Sequence, residues 1–276
     1  LSFLSESIKM TLTKNTINRL LSLRTLTYLI YVPVIICKIK NWPTYLKNYL
    51  TKSKGGRYQF RNGLVFGDHE GSLTGTIAVV FIRKHYGSMK NMKVIVDIGA
   101  NLGVFAVYAA CHSKDAVIFA YEPVKANYDL LVENIHANNL QDQITAFNLG
   151  IASDRETRSI FISTSTLHSM HESENTQSRI SIDCISLNDV LTDNHLDHID
   201  LLKLNCEGAE YEILYSTQRE TFNQIREIRL EYHNEDSNRN NGRALRQYLE
   251  SVGYHTVKHH ANSEEDGFLW MERMQT

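Results

Sequence analysis

The stretch VIVDIGANLG, residues 94–103, constrains the fold more than any other part of the chain. Residues 94–98 are β-branched apart from Asp97, which suits a parallel strand buried on both faces. Asp97 falls where that strand should end. Gly99 and Gly103 follow, giving a turn in which backbone approaches a ligand with no Cβ in the way. Residues 104–111 (VFAVYAAC) then read as an apolar helix lying flat on a sheet. Strand, glycine turn and helix make the nucleotide-binding opening of a doubly wound α/β fold.

From residue 93 onward the pattern alternates between strand and helix, which implies a mostly parallel sheet. It predicts strands at 116–121, 144–149, 199–204 and 225–232, and helices at 125–137, from about 208, and at 243–251. Short strands at 254–257 and 268–271 close the chain. The alternation lapses once. Residues 159–163 and 179–183 look like paired strands around a polar, Ser/Thr-rich insert at 164–178, long enough to be a binding loop or simply mobile. Ahead of the core, residues 13–50 read as two or three helices broken near Pro33 and Pro43. Asn62-Gly63 between two apolar runs suits a type I′ hairpin turn. Residues 72–86 suggest a helix with Leu73, Ile77, Val80, Phe81 and Tyr86 as its apolar face and Gly87 as its stop. We therefore expect three parts: a basic helical extension at 1–57, a hairpin and helix at 58–92, and a nucleotide-binding domain at 93–276 with the insert at 155–185.

Charge is unevenly placed. Residues 1–57 carry a net +9, so the remainder carries −11 within a chain of net charge −2. The basic segment should meet an anionic surface, either a membrane or the acidic body of its own protein. The apolar stretch 25–37 has 13 residues and contains Pro33, too short for a span that needs about 20. It could lie in a membrane interface between Arg24 and Lys38. A signal peptide fits poorly, because the stretch starts late and no small-residue cleavage pattern follows it. The first methionine is Met10, so residues 1–9 are set aside as upstream sequence. Four scattered cysteines, with no C-x-x-C pair, point to a reducing, cytoplasmic setting, with membrane association at the inner surface as its variant. They argue against a thiolate metal site, and no metal is expected.

Dinucleotide sites place G-x-G-x-x-G straight after the strand, whereas here an acid precedes only two glycines. An acid would repel a pyrophosphate and favour the cationic end of an amino-acid-like ligand. Glu122 follows 25 residues later, at the end of the next strand, where a carboxylate can accept hydrogen bonds from a ribose diol. Two acids beside a glycine turn suggest S-adenosylmethionine, which has an ammonium and a sulfonium and no phosphate. The competing reading makes Asp97 a helix-capping acid and the glycines packing devices.

Residues 201–214 (LLKLNCEGAEYEIL), with VDIGANLG, YEPxxxN at 121–127 and EYH at 231–233, resemble the FkbM-type methyltransferases, mostly O-methylating class I enzymes dependent on S-adenosylmethionine. The resemblance runs from about Tyr58 to the C-terminus, and residues 1–57 are outside it. It implies a Rossmann-like, seven-stranded, mostly parallel sheet with helices on both faces and a reversed last hairpin. It also implies cofactor contacts at Asp97, Gly99, Asn101, Gly103 and Glu122, with Ala100 and Pro123 in the same two turns and Gly150 and Ile151 against adenine. One position departs: Asn205 stands where the family more often has Asp. An amide is neither a base nor an anionic metal ligand, so the base must be sought elsewhere.

Charged groups late in a central strand face the acceptor in such folds. Glu231 and His233 are the last two polar residues of 227–233. Removing a hydroxyl proton wants a base poised near neutral pH, and an unperturbed His meets that need. We therefore expect His233 as base, with Glu207 or Glu231 orienting it or the acceptor; alternatively, His233 and Glu231 merely pair. His168, His171, His195 and His198 have metal-like spacing but no third ligand nearby, and read as solvated. The leading expectation is O-methylation of a sugar, glycolipid or secondary metabolite. Nucleic-acid methylation is the second, disfavoured by the acidic catalytic portion. A cofactor-binding scaffold without catalysis is the third. Oligomeric state is not legible.

Overall fold

The computed structural model describes residues 30–51, 53, 55–68, 73–163, 168–169, 176–235, 238–261 and 266–274. About half of the basic N-terminal segment, His171 and most of the polar insert lie outside the described residues.

The described residues begin with α1 (Val32–Lys38) and α2 (Trp42–Thr51), and then form a hairpin of β1 (Gly56–Gln59) and β2 (Val65–Asp68). Pro33 and Pro43 sit in the first turns of these helices rather than breaking them, because a first-turn N–H has no helical acceptor to lose. The hairpin also differs from the type I′ expectation. Gly63 alone takes positive φ, at 95°, and its N–H donates to the Phe60 carbonyl at 3.1 Å. That is a three-residue loop closed by a left-handed glycine. Helix α3 (Leu73–Ile77) runs on as a π-helical turn over Ala78–Ile82, where the Arg83 N–H reaches back to the Ala78 carbonyl at 2.9 Å. The helix expected to reach residue 86 therefore stops four residues early, and the 83–92 loop that follows turns at left-handed Lys84 and Gly87 and buries Tyr86, Met89 and Met92 in the core.

The core follows as β3 (Val94–Ile98), α4 (Val104–His112), β4 (Val117–Tyr121), α5 (Lys125–Ala137) and β5 (Ile144–Phe147). A second sheet then interrupts, with β6 (Gly150–Ala152), β7 (Glu156–Ser163), β8 (His168–Ser169) and β9 (Thr176–Ser186). The strand expected to run to residue 149 therefore stops at Phe147, and the next strand, from Gly150, belongs to the second sheet. The core resumes with α6 (Leu187–Asp193), β10 (Ile199–Leu204), α7 (Glu210–Ser216), α8 (Arg219–Asn223), β11 (Ile225–His233), α9 (Gly242–Ser251), β12 (Tyr254–Ala261) and β13 (Asp266–Arg273).

The seven-stranded sheet has the order β12–β13–β11–β10–β3–β4–β5, with β13 antiparallel to both neighbours. This is the mostly parallel, Rossmann-like α/β sheet that the resemblance implies, reversed only at its last hairpin. Helix α4 has no polar stripe, and Val104 to Ala110 are all buried, as befits a helix covered on every side. Every residue of β10 is buried, Asp200 and Lys203 included. Buried charges need partners. Asp200 accepts hydrogen bonds from the N–H of Lys93, at 2.5 Å, and of Val94, and pairs with Arg226. Lys203 finds its partner across the ladder, at the head of the glycine turn.

Helices α1 and α2 and the hairpin share one apolar core with β3, α4, β4 and α5, through Ile35, Ile39, Tyr45, Tyr58 and Phe66. No helix among the described residues is long and apolar enough to cross a membrane.

Candidate active site

At the carboxyl end of β3 the chain turns so tightly that glycine is required. Gly99 has φ +72°, and a Cβ there would lie 2.0 Å from the Asn205 carbonyl oxygen. Asn101 is also left-handed, at φ +49°, a conformation its short polar side chain tolerates. The N–H groups of Gly99 and Ala100 both donate to the Tyr121 carbonyl, at 3.1 and 2.9 Å. Glu122, one residue further on, completes the link: Oε2 accepts from the Asn101 N–H at 2.8 Å and Oε1 from the Val124 N–H at 3.0 Å. Burial pushes the Glu122 carboxyl up to about 7 against the lowering effect of these donors. The two turns are thus braced on one carboxylate.

Asp97 lies beneath this turn, not in its wall. It is 0 % exposed, and its Oδ1 is 2.8 Å from Lys203 Nζ, its register partner on β10. The same ammonium donates to the carbonyls of Gly99 (2.8 Å) and Ile98 (3.3 Å) and sits 5.7 Å from the Phe105 ring centroid. Burial raises the Asp97 pKa and Lys203 opposes it.

A second cluster forms where β10 and β11 end. Asn205 Nδ2 donates to Glu231 Oε2 at 2.9 Å. An Asp at that position would bring two carboxylates together, so that one would hold a proton; the amide leaves Glu231 its acceptor role. Glu207 is a non-glycine residue at φ +54°, a left-handed geometry costing roughly 1 kcal/mol or more. Its Oε2 lies 3.5 Å from His233 Nε2, and Glu210 Oε1 lies 3.3 Å from His233 Nδ1. Glu210 is buried and accepts from the N–H groups of Cys206 (2.7 Å) and Gly208 (2.9 Å), so it shapes the turn into α7. Glu212 instead ties that helix to the second sheet through Arg158.

These surroundings overturn the premise of an unperturbed histidine. Burial alone would lower the His233 pKa, but Glu210, Glu207 and Glu231 together raise it to about 9. At neutral pH the ring is protonated and has no lone pair to offer. Glu231 is the opposite case: burial raises it to about 7, with His233 pulling down and Glu207, Asp266 and Glu210 pushing up. The group near neutrality is the glutamate.

Between the clusters lies a cavity of about 330 Å³. Gly99, Ala100, Asn101, Glu122, Pro123, Gly150 and Ile151 line one side, and Asn205, Glu207 and Glu231 the other. Asp97, Gly103 and His233 stand behind the wall. Gly103 instead begins α4 at φ +79°, against Leu131. Sequence reasoning missed Lys203, Tyr86, Phe105, Thr76 and Val79, all of which line the cavity. For Lys203 a signal existed, since a lysine inside the all-apolar end of IDLLKL must have a buried partner. For the α3 residues there was none, because their place depends on the π-helical turn. No cluster of three or more metal-ligating side chains occurs among the described residues.

A family model described as the Methyltransferase FkbM domain matches residues 97–256. The chain is 28 % identical over 205 residues to Methyltransferase sdnD of Sordaria araneosa, covering 63 % of this chain and 78 % of that protein. It is 25 % identical over 177 residues to Methyltransferase 1 of Beauveria bassiana, covering 55 % and 70 %. The crystal structure of Methyltransferase FkbM from Methylobacillus flagellatus KT shares 14 % identity over 90 % of this chain and 60 % of that one, with a TM-score of 0.48.

Proposed function

The chain belongs to the FkbM methyltransferase family, and from that premise we propose that it methylates a hydroxyl of a small acceptor, such as a sugar, glycolipid or secondary metabolite, with Glu231 as the base. The methyl donor of the family is S-adenosylmethionine. The pocket fits this cofactor. Its volume of about 330 Å³ falls in the range of small-molecule sites. Leu149, Ile151, Ile160 and Ile182 make an apolar slot suited to a flat base, and Glu122 presents a buried carboxylate to a diol. Gly99, Ala100 and Asn101 would hold the remainder without side-chain interference. When bound, S-adenosylmethionine supplies a methyl group on a cationic sulfur, an electrophile that needs no further activation.

The chain's own part is to position and deprotonate the acceptor. Glu231 stands at the carboxyl end of a central strand, in the wall of the same cavity as the glycine turn. With its pKa near 7, about half of it is an anion at neutral pH, so it can take a hydroxyl proton there. Protonated His233 stabilises the anion from behind, and Asn205 Nδ2 fixes one carboxylate oxygen. Glu207 faces the cavity and supplies a second acceptor for the substrate's hydroxyl groups. The observation that carries this reading is Glu231: pocket wall, near-neutral titration and a hydrogen-bonded orientation in one residue. Among the described residues the only cation in the wall is Lys203, whose charge Asp97 takes up. This supports a neutral hydroxyl over a nucleic-acid backbone at the reacting centre.

The test is Glu231→Gln, assayed with a panel of hydroxylated acceptors and labelled cofactor. We expect turnover to fall by about two to four orders of magnitude, the range for losing a general base, with cofactor affinity unchanged. Turnover within threefold of the parent would remove Glu231 as base.

A further inference from the structure

Tyr86 lies in the loop between the π-helical turn and β3, yet the backbone there is pinned. Arg229 donates to the carbonyls of Tyr86 and, at 2.8 Å, of Ser88, and Tyr108 Oη donates to that of Gly87 at 2.9 Å. The ring is buried and meets those of Phe105 and Phe268 edge-on, at 4.9 and 5.8 Å. Phe268 is the register partner of Glu231, and opposed residues of an antiparallel pair present their side chains to one face. Tyr86 therefore packs on the face of the sheet that carries Glu231, and both residues line the cavity.

Phenylalanine would serve that packing equally well, so the hydroxyl needs its own account. A buried phenol normally has a hydrogen-bond partner, and here it is the Asn205 side chain. That contact lowers the phenol's pKa, so the amide donates and the phenol oxygen accepts. The same amide gives Nδ2–H to Glu231 Oε2 at 2.9 Å. Glu231 acts on Tyr86 through charge and not through a hydrogen bond. A phenol oxygen that accepts still has its own proton to donate. Burial, with the charges of Glu231 and Asp97, pushes the phenol well above its ordinary range, so that proton stays in place. Two groups hydrogen-bonded to one amide lie about 5 Å apart, and a hydroxyl oxygen about 2.7 Å from each bridges them.

We propose that Tyr86 is a catalytic residue of the methyl transfer: its hydroxyl donates a hydrogen bond to the reacting oxygen of the acceptor while Glu231 takes the proton of that oxygen. The inference rests on the reading of this cavity as an O-methylation site with Glu231 as base. A hydroxyl oxygen has two lone pairs. One forms the new bond to the methyl carbon as the carbon–sulfur bond breaks and its electron pair returns to sulfur. The other accepts from Tyr86, and the proton passes to Glu231. Three fixed directions at one oxygen give the in-line approach that methyl transfer needs. As the proton leaves, the oxygen gains negative character and the hydrogen bond from Tyr86 strengthens, so the contact is worth more in the transition state than in the ground state. A neutral amine has one lone pair, which the attack consumes. Tyr86 then has nothing to bind, so this donor favours oxygen over nitrogen acceptors.

The experiment measures initial rates of the full chain with labelled S-adenosylmethionine and, as acceptors, glycerol, methyl α-glucoside, phenol and a small-molecule cell extract. The parent, Tyr86→Phe, Glu231→Gln and the double variant are compared, with Tm and cofactor affinity measured for each. Phenylalanine keeps the ring and its contacts, so Tyr86→Phe should have the Tm and cofactor affinity of the parent. We expect it to lower kcat about ten- to hundredfold, the size of one hydrogen bond to a charged group, with a smaller change in KM. In the Glu231→Gln background, where no charge develops on the oxygen, the same substitution should lower kcat by less than about threefold, because two groups acting on one atom are not additive. A kcat that Tyr86→Phe leaves unchanged overturns the proposal. So does an equal loss in both backgrounds, which marks Tyr86 as structural. Turnover in the parent with either of these results leaves the methyltransferase reading standing and removes Tyr86 alone. A parent that methylates none of the acceptors counts against that reading, and the role of Tyr86 falls with it.

Discussion

Lys203→Met tests the foundation of the cofactor turn. The parent places Lys203 Nζ 2.8 Å from Asp97 Oδ1, with both side chains almost wholly out of solvent. Methionine keeps the volume and deletes the charge, leaving Asp97 buried and alone. Removing one member of a buried ion pair costs about 3–5 kcal/mol. For a chain of this size that corresponds to a fall in Tm of roughly 10 °C. The penalty must also depend on pH. Burial already raises the Asp97 pKa and Lys203 opposes it; without Lys203 the folded pKa rises further above its unfolded value. A raised carboxyl is destabilising above the unfolded pKa, so the deficit should be larger at pH 8 than at pH 5. Asp97→Asn added to Lys203→Met removes the stranded charge and should restore at least half of the lost stability. Cofactor affinity should stay weak in the double variant, because the Gly99 and Ile98 carbonyls have still lost their shared donor. Urea denaturation at the two pH values and calorimetric titration with S-adenosylmethionine read the two effects separately. A single variant that loses less than about 1 kcal/mol, or a double variant no more stable than the single, refutes this account of the pair.

Three further outcomes follow from the site. Gly99→Ala places a Cβ 2.0 Å from the Asn205 carbonyl oxygen at φ +72°, so thermal denaturation should register a loss of several kcal/mol, of the order of overpacking plus a forbidden backbone; a near-parental Tm would mean the turn opens freely. Glu122 titrates near 7 when folded and near 4.5 in an exposed chain, so its contribution is lost as pH climbs through that window, by about 3 kcal/mol at most by pH 8. Glu122→Gln should therefore be as stable as the parent or more so at pH 8, with no such gain at pH 4, while its cofactor affinity falls; unchanged affinity would remove Glu122 from the ribose. His233→Gln deletes the cation that lowers the Glu231 pKa, so the rising limb of the kcat/KM profile should move to higher pH. A limb that stays in place would show that His233 does not act through Glu231.

Much of the site was legible because covalent spacing and strand periodicity fix it. Residues 97–103 form the expected turn, α5 occupies its expected residues, and Glu207 and Glu231 face the cavity. What was not legible depended on long-range placement. The base was assigned to His233 from its free-solution pKa, yet three carboxylates from two elements surround it and reverse that inference. Asp97 was assigned to ligand, yet its register partner across the ladder is a lysine; only the pairing of β3 with β10 brings the two together. The π-helical turn after Ile77 has no simple sequence signature, so the wall made by Thr76 and Val79 could not be anticipated. Residues 1–29, which hold half of the basic segment, and the centre of the insert are not among the described residues.

The contact between Gly99 and the Asn205 carbonyl has an evolutionary consequence. The donor turn and the turn that carries Asn205 and Glu207 meet backbone to backbone, with no side chain between them to absorb change. Neither can drift without displacing the other, and a lineage exploring new acceptors cannot do so through this side of the pocket. The opposite wall is held differently: α3, its π-helical turn and the 83–92 loop meet the sheet through side chains, Arg229 gripping the Tyr86 and Ser88 carbonyls and Trp270 filling the space above Gly87. Side chains can be exchanged one at a time. Novelty in acceptor choice should therefore accumulate on that wall, while the donor half stays fixed by its own geometry.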